Sequence, residues 1–568
     1  MSVPDEGGSD PRDDNLAQTL DPVAGISRGV VSRPMPAVGA ATASREVRDA
    51  LARPFPPGVD PALPVPIPYA DAPAPDPANA GRFWSGVALN AIRIDCTTAE
   101  PGGHAPQEQP GLPLSTRAFA LVHLAMHDAY FSVLGTQPTW LPDLAPPDTA
   151  NDPDAALAGA AETVLRALYR HPAHARAVDQ ARTAFIVGRP MSEASSRWGQ
   201  AVAHQVLADR ADDLAFHADS PGPGPRAYRH RPDPLHPGQG RLGPNWGRCR
   251  PFVAPRVTLE PPPGRFPGGF MVDVNPWYDA DRDLVSDKGA EADSTRTAEE
   301  SVKAAFWAYD GGDRIGTAAR LYGQITLAIL DQCSARDEGS VETEDYVRLM
   351  ALSATAMADA AIQAWYWKYA YDFWRPVVGV RAASGRSGCG ASRAGTGAGG
   401  PDWRPLGAPD TNRADRFTPN SPSYPSGHAT VGAAVFQVIR GFMEERGLAS
   451  SRSAGEADTI AFAFTSDECN GLNADTDGKC RPACRRQFRG LWEATVENAL
   501  SRVYLGVNWA FDGISRTQGG GRPRQGVPAR PAELGAVGGT WLGREIGRVL
   551  IDKGLRRQEP ATPDRIRR

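Results

Sequence analysis

Lysine is almost missing from this chain. Only Lys288, Lys303, Lys368, Lys479 and Lys553 occur among 61 basic residues, so nearly every cation is an arginine. Long apolar runs are missing as well. No stretch of about 18 apolar residues occurs, which excludes a spanning helix. The opening residues, MSVPDEGGSDPRDDNLAQTL, have neither a basic nor an apolar signal region, so the default expectation is a cytoplasmic protein. A large excess of charge is also absent. The net charge of −5 offers nothing to nucleic acid or to an anionic membrane. Cysteine is scarce, with seven residues, of which only Cys469, Cys480 and Cys484 cluster. Three thiolates without a nearby His are a poor zinc set, so one disulfide or three free thiols is expected there.

What is present is helical patterning. STRAFALVHLAMHDAYFSVL and NDPDAALAGAAETVLRALYR repeat apolar residues every three or four positions. SEASSRWGQAVAHQVLADRADD opens as a capped helix does. No long span alternates as a strand would, so the class is all-α, packed as one or two helix bundles with long loops. Residues 1–80, rich in Pro, Ala, Gly and Asp, read as a disordered or extended arm. An N-terminal helical half is expected over 81–297, its Pro/Gly-rich connector starting near 218. A C-terminal half follows over 298–550, with a loop at 384–417, and then a tail at 551–568.

Three short pieces carry chemistry. In KYAYDFWRP, Lys368 and Arg375 stand seven residues apart, close to two helical turns, so both are expected on one helix face that Pro376 then terminates. Two cations on one face repel unless an anion lies between them. The surrounding Trp365, Tyr366, Trp367 and Trp374 argue against a wet surface. In YPSGHATVG, a turn feeds a helix N-terminus that favours an anion. There Ser426 adds a hydroxyl, Gly427 allows close backbone approach, and His428 can exchange a proton. In SRVYLGVNWAFD, Arg502 offers a fork suited to oxyanions, and Asp512 can orient the residue four positions before it, Asn508. Taken singly, these pieces also read as solvated charges and an ordinary capped helix.

In order and spacing the three pieces resemble the signature of the vanadium-dependent haloperoxidases within the type-2 phosphatidic acid phosphatase superfamily: Lys-X6-Arg-Pro, Pro-Ser-Gly-His, Ser-Arg-X5-His. Stretches at 114–133, 306–325 and 464–482 resemble the chloroperoxidase branch, so the likeness runs from about 82 to 550. The resemblance implies two four-helix-bundle-like halves, with vanadate in a cage at the centre of one. It gives the cage to Lys368, Arg375 and Arg502, with Ser426 and the Gly427 backbone as further donors. It pairs Asp310 with Arg502, makes His428 the acid–base residue, sets Trp365 near the halide path, and places Ser421 where the branch varies, with an effect on halide preference. The implied partners are hydrogen peroxide, chloride or bromide and a small organic substrate, handled by a monomer or homodimer.

The departure is Asn508, which stands where the family has the histidine that binds vanadium in haloperoxidases or attacks phosphorus in the phosphatases. A carboxamide nitrogen has no free lone pair, and its oxygen is a weak donor. Phosphoryl transfer through this residue is therefore removed. Vanadate binding is expected to weaken, and phosphate to compete for the cage. Three functions follow: an impaired or modified haloperoxidase, a repurposed halide-independent enzyme of isomerase type, or a non-catalytic phosphate-binding homologue.

Overall fold

The computed structural model describes residues 77–97, 107–187, 189–217, 228–263, 276–336, 341–382, 399–411, 416–448, 455–475, 477–517 and 523–557. Residues 1–76 of the proposed arm and 558–568 of the proposed tail lie outside them, while residue 80 already begins a helix and residues 551–553 end one. Among the described residues the fold is helical, and its strands are paired only in two-stranded ribbons of two to four residues. No helix among them is long and apolar enough to cross a membrane.

The first helices are α1 (Ala80–Asp95), α2 (Gly111–Leu134), α3 (Pro153–Leu168), α4 (Pro172–Ile186) and α5 (Glu193–Asp209). Then come α6 (Pro276–Lys288), α7 (Ala298–Phe306), α8 (Ala318–Ala335), α9 (Thr343–Tyr371) and α10 (Pro376–Ala382). The chain closes with α11 (Gly427–Glu445), α12 (Leu491–Tyr504), the single turn α13 (Ala510–Gly513) and α14 (Gly539–Lys553). Side-chain caps start several of them. Asp152 accepts from Ala155 N at 3.0 Å before α3, and Ser192 accepts from Ser195 N at 3.2 Å before α5. Thr297 and Glu300 form a reciprocal capping box on α7.

The 29-residue α9 is the spine. It packs against α2 on the N-terminal side and α11 on the C-terminal side, while α2, α3 and α5 pack against one another. One apolar cluster runs through both halves, from Ala80 to Leu555. Two helix pairs approach to backbone contact because glycine faces the partner. A Cβ on Gly199 of α5 would lie 1.9 Å from the Ala156 carbonyl. On α14, Gly539, Gly543 and Gly547 form a stripe whose added Cβ atoms would meet the carbonyls of Ser426 (2.6 Å), Thr430 (2.0 Å) and Ala434 (2.6 Å) on α11.

Several expectations need correction. Lys368 and Arg375 do not share a helix face: α9 ends at Tyr371, where Asp372 turns left-handed at φ 49° and caps it. Pro376 opens α10 rather than closing a helix, its fixed φ and missing N–H suiting a first turn. The Pro/Gly-rich connector contains α6, and α4 and α14 are helices that the sequence reading does not single out. Of the two alternatives for Cys469, Cys480 and Cys484, the structure agrees with the second, three free thiols.

Candidate functional site

The end of α9, the 421–428 turn and the end of α12 converge in the interior. Lys368 is almost fully buried and donates to the Pro422 carbonyl at 2.6 Å and the Ser423 carbonyl at 3.1 Å. Burial and the neighbouring Arg375 hold its pKa well below the ordinary lysine range, while Asp512 pulls the other way. Because the chain leaves α9 before Arg375, that guanidinium reaches sideways into the turn. It donates to the Ser421 carbonyl (2.8 Å), the Val507 carbonyl (2.8 Å), Asn508 Oδ1 (3.1 Å) and Ser421 Oγ (3.3 Å). Burial lowers its pKa to about 10. Ser421 thus grips Arg375, and Trp365 sits 5.6 Å from the Lys368 ammonium with its indole N–H on the Leu242 carbonyl.

A break in the backbone places Asn508. The helix α12 stops at Tyr504, and Gly506 at φ 70° turns the chain so that 507–509 cross the site. Asp512, on the one-turn α13, receives the Trp509 N–H at 2.9 Å and the Asn508 amide at 2.9 Å, and it also accepts from the Ser423 hydroxyl. Asn508 Nδ2 donates to the Ser423 carbonyl as well, at 3.0 Å. The orientation of the carboxamide is dictated by its neighbours: acceptors surround the nitrogen and a guanidinium faces the oxygen. Burial raises the Asp512 pKa, against the hydrogen bonds from Ser423 and Asn508.

The second group of residues is Arg502, Asp310 and His428. Arg502 makes a two-pronged pair with Asp310 at 2.9 and 3.0 Å, and its buried Nε has no hydrogen-bond partner. Ser426 caps α11 by accepting from Ala429 N at 3.3 Å, and its own N–H is held by the Asp512 carbonyl at 2.8 Å. His428 Nε2 lies 2.6 Å from the Ala308 carbonyl and 3.9 Å from Asp310 Oδ1. Burial, aided by Arg502, drops its pKa to about 4, so the ring is neutral at pH 7. Tyr322 and Asn498 both donate to the His428 carbonyl, at 2.9 and 3.0 Å, which fixes the start of α11.

The structure brings all the residues singled out from the motifs into one connected region. It adds two that were missed. Ser423, between the two motif serines, links Lys368, Asn508 and Asp512 through its carbonyl and hydroxyl. His230 comes from the connector, and its N–H is held by the Asp372 carbonyl at 2.8 Å. Both its ring nitrogens are buried without a hydrogen bond, and burial together with Arg375, Arg241 and Lys368 holds its pKa well down. Only tertiary structure connects it with the site, so no motif spacing could have pointed to it.

The N-terminal third matches the family description "Vanadium chloroperoxidase N-terminal domain" over residues 67–240, and residues 348–522 match "VCPO second helical-bundle domain". The vanadium chloroperoxidase of Curvularia inaequalis is 31% identical over 591 aligned positions, which span 88% of this chain and 93% of that protein. This chain belongs to the vanadium haloperoxidase family. The fold agrees with solved relatives. A bacterial vanadium-dependent iodoperoxidase superposes with a TM-score of 0.58 at 17% identity, covering 84% of this chain and 98% of that one. A holo-type bacterial vanadium-dependent chloroperoxidase gives 0.51 at 14% identity, covering 82% of this chain and 97% of its own.

Family membership raises vanadate as the group to be tested against these residues. The hydrogen-bond donors suit a tetrahedral oxyanion: Arg502 Nε is uncommitted, Lys368 has used two of its three protons, and Gly427 N–H stands at a helix N-terminus. The coordination bond is what fails. The Asn508 nitrogen has no lone pair to give, and its oxygen already accepts from Arg375. The donors fit an oxyanion; the residue at 508 does not fit a metal–nitrogen bond.

Proposed function

We propose that this member of the family is an oxyanion-holding acid–base enzyme that no longer anchors vanadium through the protein and acts on a small oxygenated organic substrate without halide. The observation that carries the reading is the Asn508 carboxamide, whose oxygen and nitrogen are both engaged with Arg375, Ser423 and Asp512. Negative charge developing on a substrate oxygen would be held by Arg502, Lys368 and the Gly427 N–H, inside a site that protein dipoles already line. The neutral ring of His428 would take up a proton from carbon or oxygen and return it elsewhere, an isomerisation in outcome. Lys368 and Arg375 would set the field, and the Asp310 carboxylate would hold Arg502 in place.

A second reading stays close to the family: oxidation of chloride or bromide by hydrogen peroxide, with vanadate held by hydrogen bonds alone. It is favoured by the Arg502–Asp310 pair and by the unspent Arg502 Nε. Bound vanadate would supply a Lewis-acid centre for peroxide activation. Phosphate would compete for the same donors.

One experiment separates the two. Orthovanadate affinity and bromide oxidation are measured for the natural chain and Asn508→His in phosphate-free buffer. The proposal expects weak vanadate binding and no bromide oxidation in the natural chain, with affinity rising at least about tenfold when the imidazole ligand is restored. Halide oxidation of equal rate in both proteins would establish the second reading instead.

A further inference from the structure

We propose that Asp95, Glu108 and His174 form a binding site for a divalent first-row transition ion of the Zn2+ or Mn2+ type, separate from the oxyanion site and independent of the function proposed above. The three residues come from the last turn of α1, the segment leading into α2, and the first turn of α4. Each offers one ligand atom, and the three atoms all lie within 4.8 Å of one another. Atoms bound to a metal at about 2.1 Å sit about 3.4 Å apart in tetrahedral geometry, so a contraction of at most about 1.4 Å closes the set.

The two carboxylates are oriented as ligands are. Both Asp95 oxygens accept backbone N–H groups, from Glu108 at 2.7 Å and Gln109 at 2.9 Å. The Glu108 carboxylate accepts from Arg170 N at 2.7 Å and His171 N at 3.0 Å. Among the described residues no Lys or Arg pairs with either one. Two adjacent carboxylates, one of them 4% exposed, thus have no Lys or Arg beside them, only the His174 ring.

His174 is an independent pointer. Its ring is 3% exposed and stacks on Tyr169 at 4.7 Å, which fixes its plane. Its Nδ1 is buried with no hydrogen-bond partner, and its Nε2 stops 3.8 Å from Asp95 Oδ1, too far for a hydrogen bond. A buried imidazole whose Nε2 faces the Asp95 carboxylate without hydrogen-bonding to it leaves a gap that an ion would close. One nitrogen with two oxygens selects transition ions over Mg2+ and Ca2+, and three protein ligands leave a position for water. The ion would staple α4 to the α1–α2 junction.

The test uses the full chain, stripped with chelator and dialysed. Stripped protein is titrated with Co2+ and Zn2+, followed by absorption and by thermal unfolding. One equivalent should bind without a thiolate-to-cobalt charge-transfer band, and Zn2+ should raise Tm. Glu108→Gln and His174→Gln should each weaken binding by at least about tenfold and abolish the Tm shift. Glu108 is half-buried, so its variant should fold even if the His174 variant does not. No stoichiometric binding, binding unchanged in Glu108→Gln, or a thiolate band assigning the metal to Cys469, Cys480 or Cys484 would each overturn the proposal.

Discussion

Asn508 donates to Asp512 across 2.9 Å, and with the bond to the Ser423 carbonyl this commits both protons of the carboxamide nitrogen. An imidazole at this position could instead give its N–H to Asp512 and aim its other nitrogen at the site, as metal-binding histidines commonly do. The carboxylate has the same partner slot for either residue. An imidazole placed at 508 would therefore find its supporting hydrogen-bond partner already in position.

Asp512→Asn tests how much of the site hangs on that carboxylate. It would leave Ser423, Asn508 and Trp509 facing a half-suitable acceptor and remove the nearest negative charge to Lys368 and Arg375. A loss of about 3–5 kcal/mol is expected, as for other broken buried charge networks, and urea unfolding measures it. A change below about 0.5 kcal/mol would show the network to be slack.

The Arg502–Asp310 fork should distinguish planar from point charge. Arg502→Lys keeps the charge but not the two-pronged pair, so phosphate affinity should fall by about tenfold, and the buried Asp310 carboxylate loses one of its two bonds. Calorimetric phosphate titration reads the effect. Equal affinity would mean that charge alone holds the anion.

The pH dependence follows from His428. Its folded pKa, about 4, lies below the ordinary value of 6.5, so the folded state prefers the neutral ring. The unfolded chain binds more protons between pH 4 and 6.5, and stability must therefore rise with pH through that window and fall as acid is added. His428→Gln should flatten this part of the stability curve. In the natural chain a bound anion stabilises the protonated ring, so phosphate affinity should increase toward pH 5, and the same variant should lose that increase.

Gly543→Ala tests the α11–α14 contact. Its Cβ would stand 2.0 Å from the Thr430 carbonyl, so the helices must part, at a cost of about 1–3 kcal/mol or more. Thermal unfolding measures this against Gly400→Ala, which meets nothing within 4 Å and should lie within about 0.5 kcal/mol of the parent.

Much of the site was legible because its chemistry is concentrated in short segments. Lys368, Arg375, Ser426, His428, Arg502 and Asn508 all lie in three motifs, and the structure joins them. The relation between Lys368 and Arg375 was misread because periodicity extends a helix until something stops it, and Asp372 is a left-handed cap that spacing does not reveal. The long aromatic run concealed that ending. His230 was invisible for another reason: its nearness to Arg375 depends on a connector folding back beside Asp372, which local pattern cannot supply. The helical class needed only the three-to-four-residue spacing of α2, α3 and α9. By contrast, α14 buries Leu542, Ile546 and Leu550 at four-residue spacing beside its glycine stripe, so its apolar face was there to be read.

That stripe has a bearing on how this site could change. With Gly539, Gly543 and Gly547 laid against the carbonyls of Ser426, Thr430 and Ala434, the start of α11 is located by main chain against main chain. No side chain at position 508 takes part in that fit. The start of α11 is thus held by the helix behind it, so a change of residue at 508 leaves that end of the helix where it is.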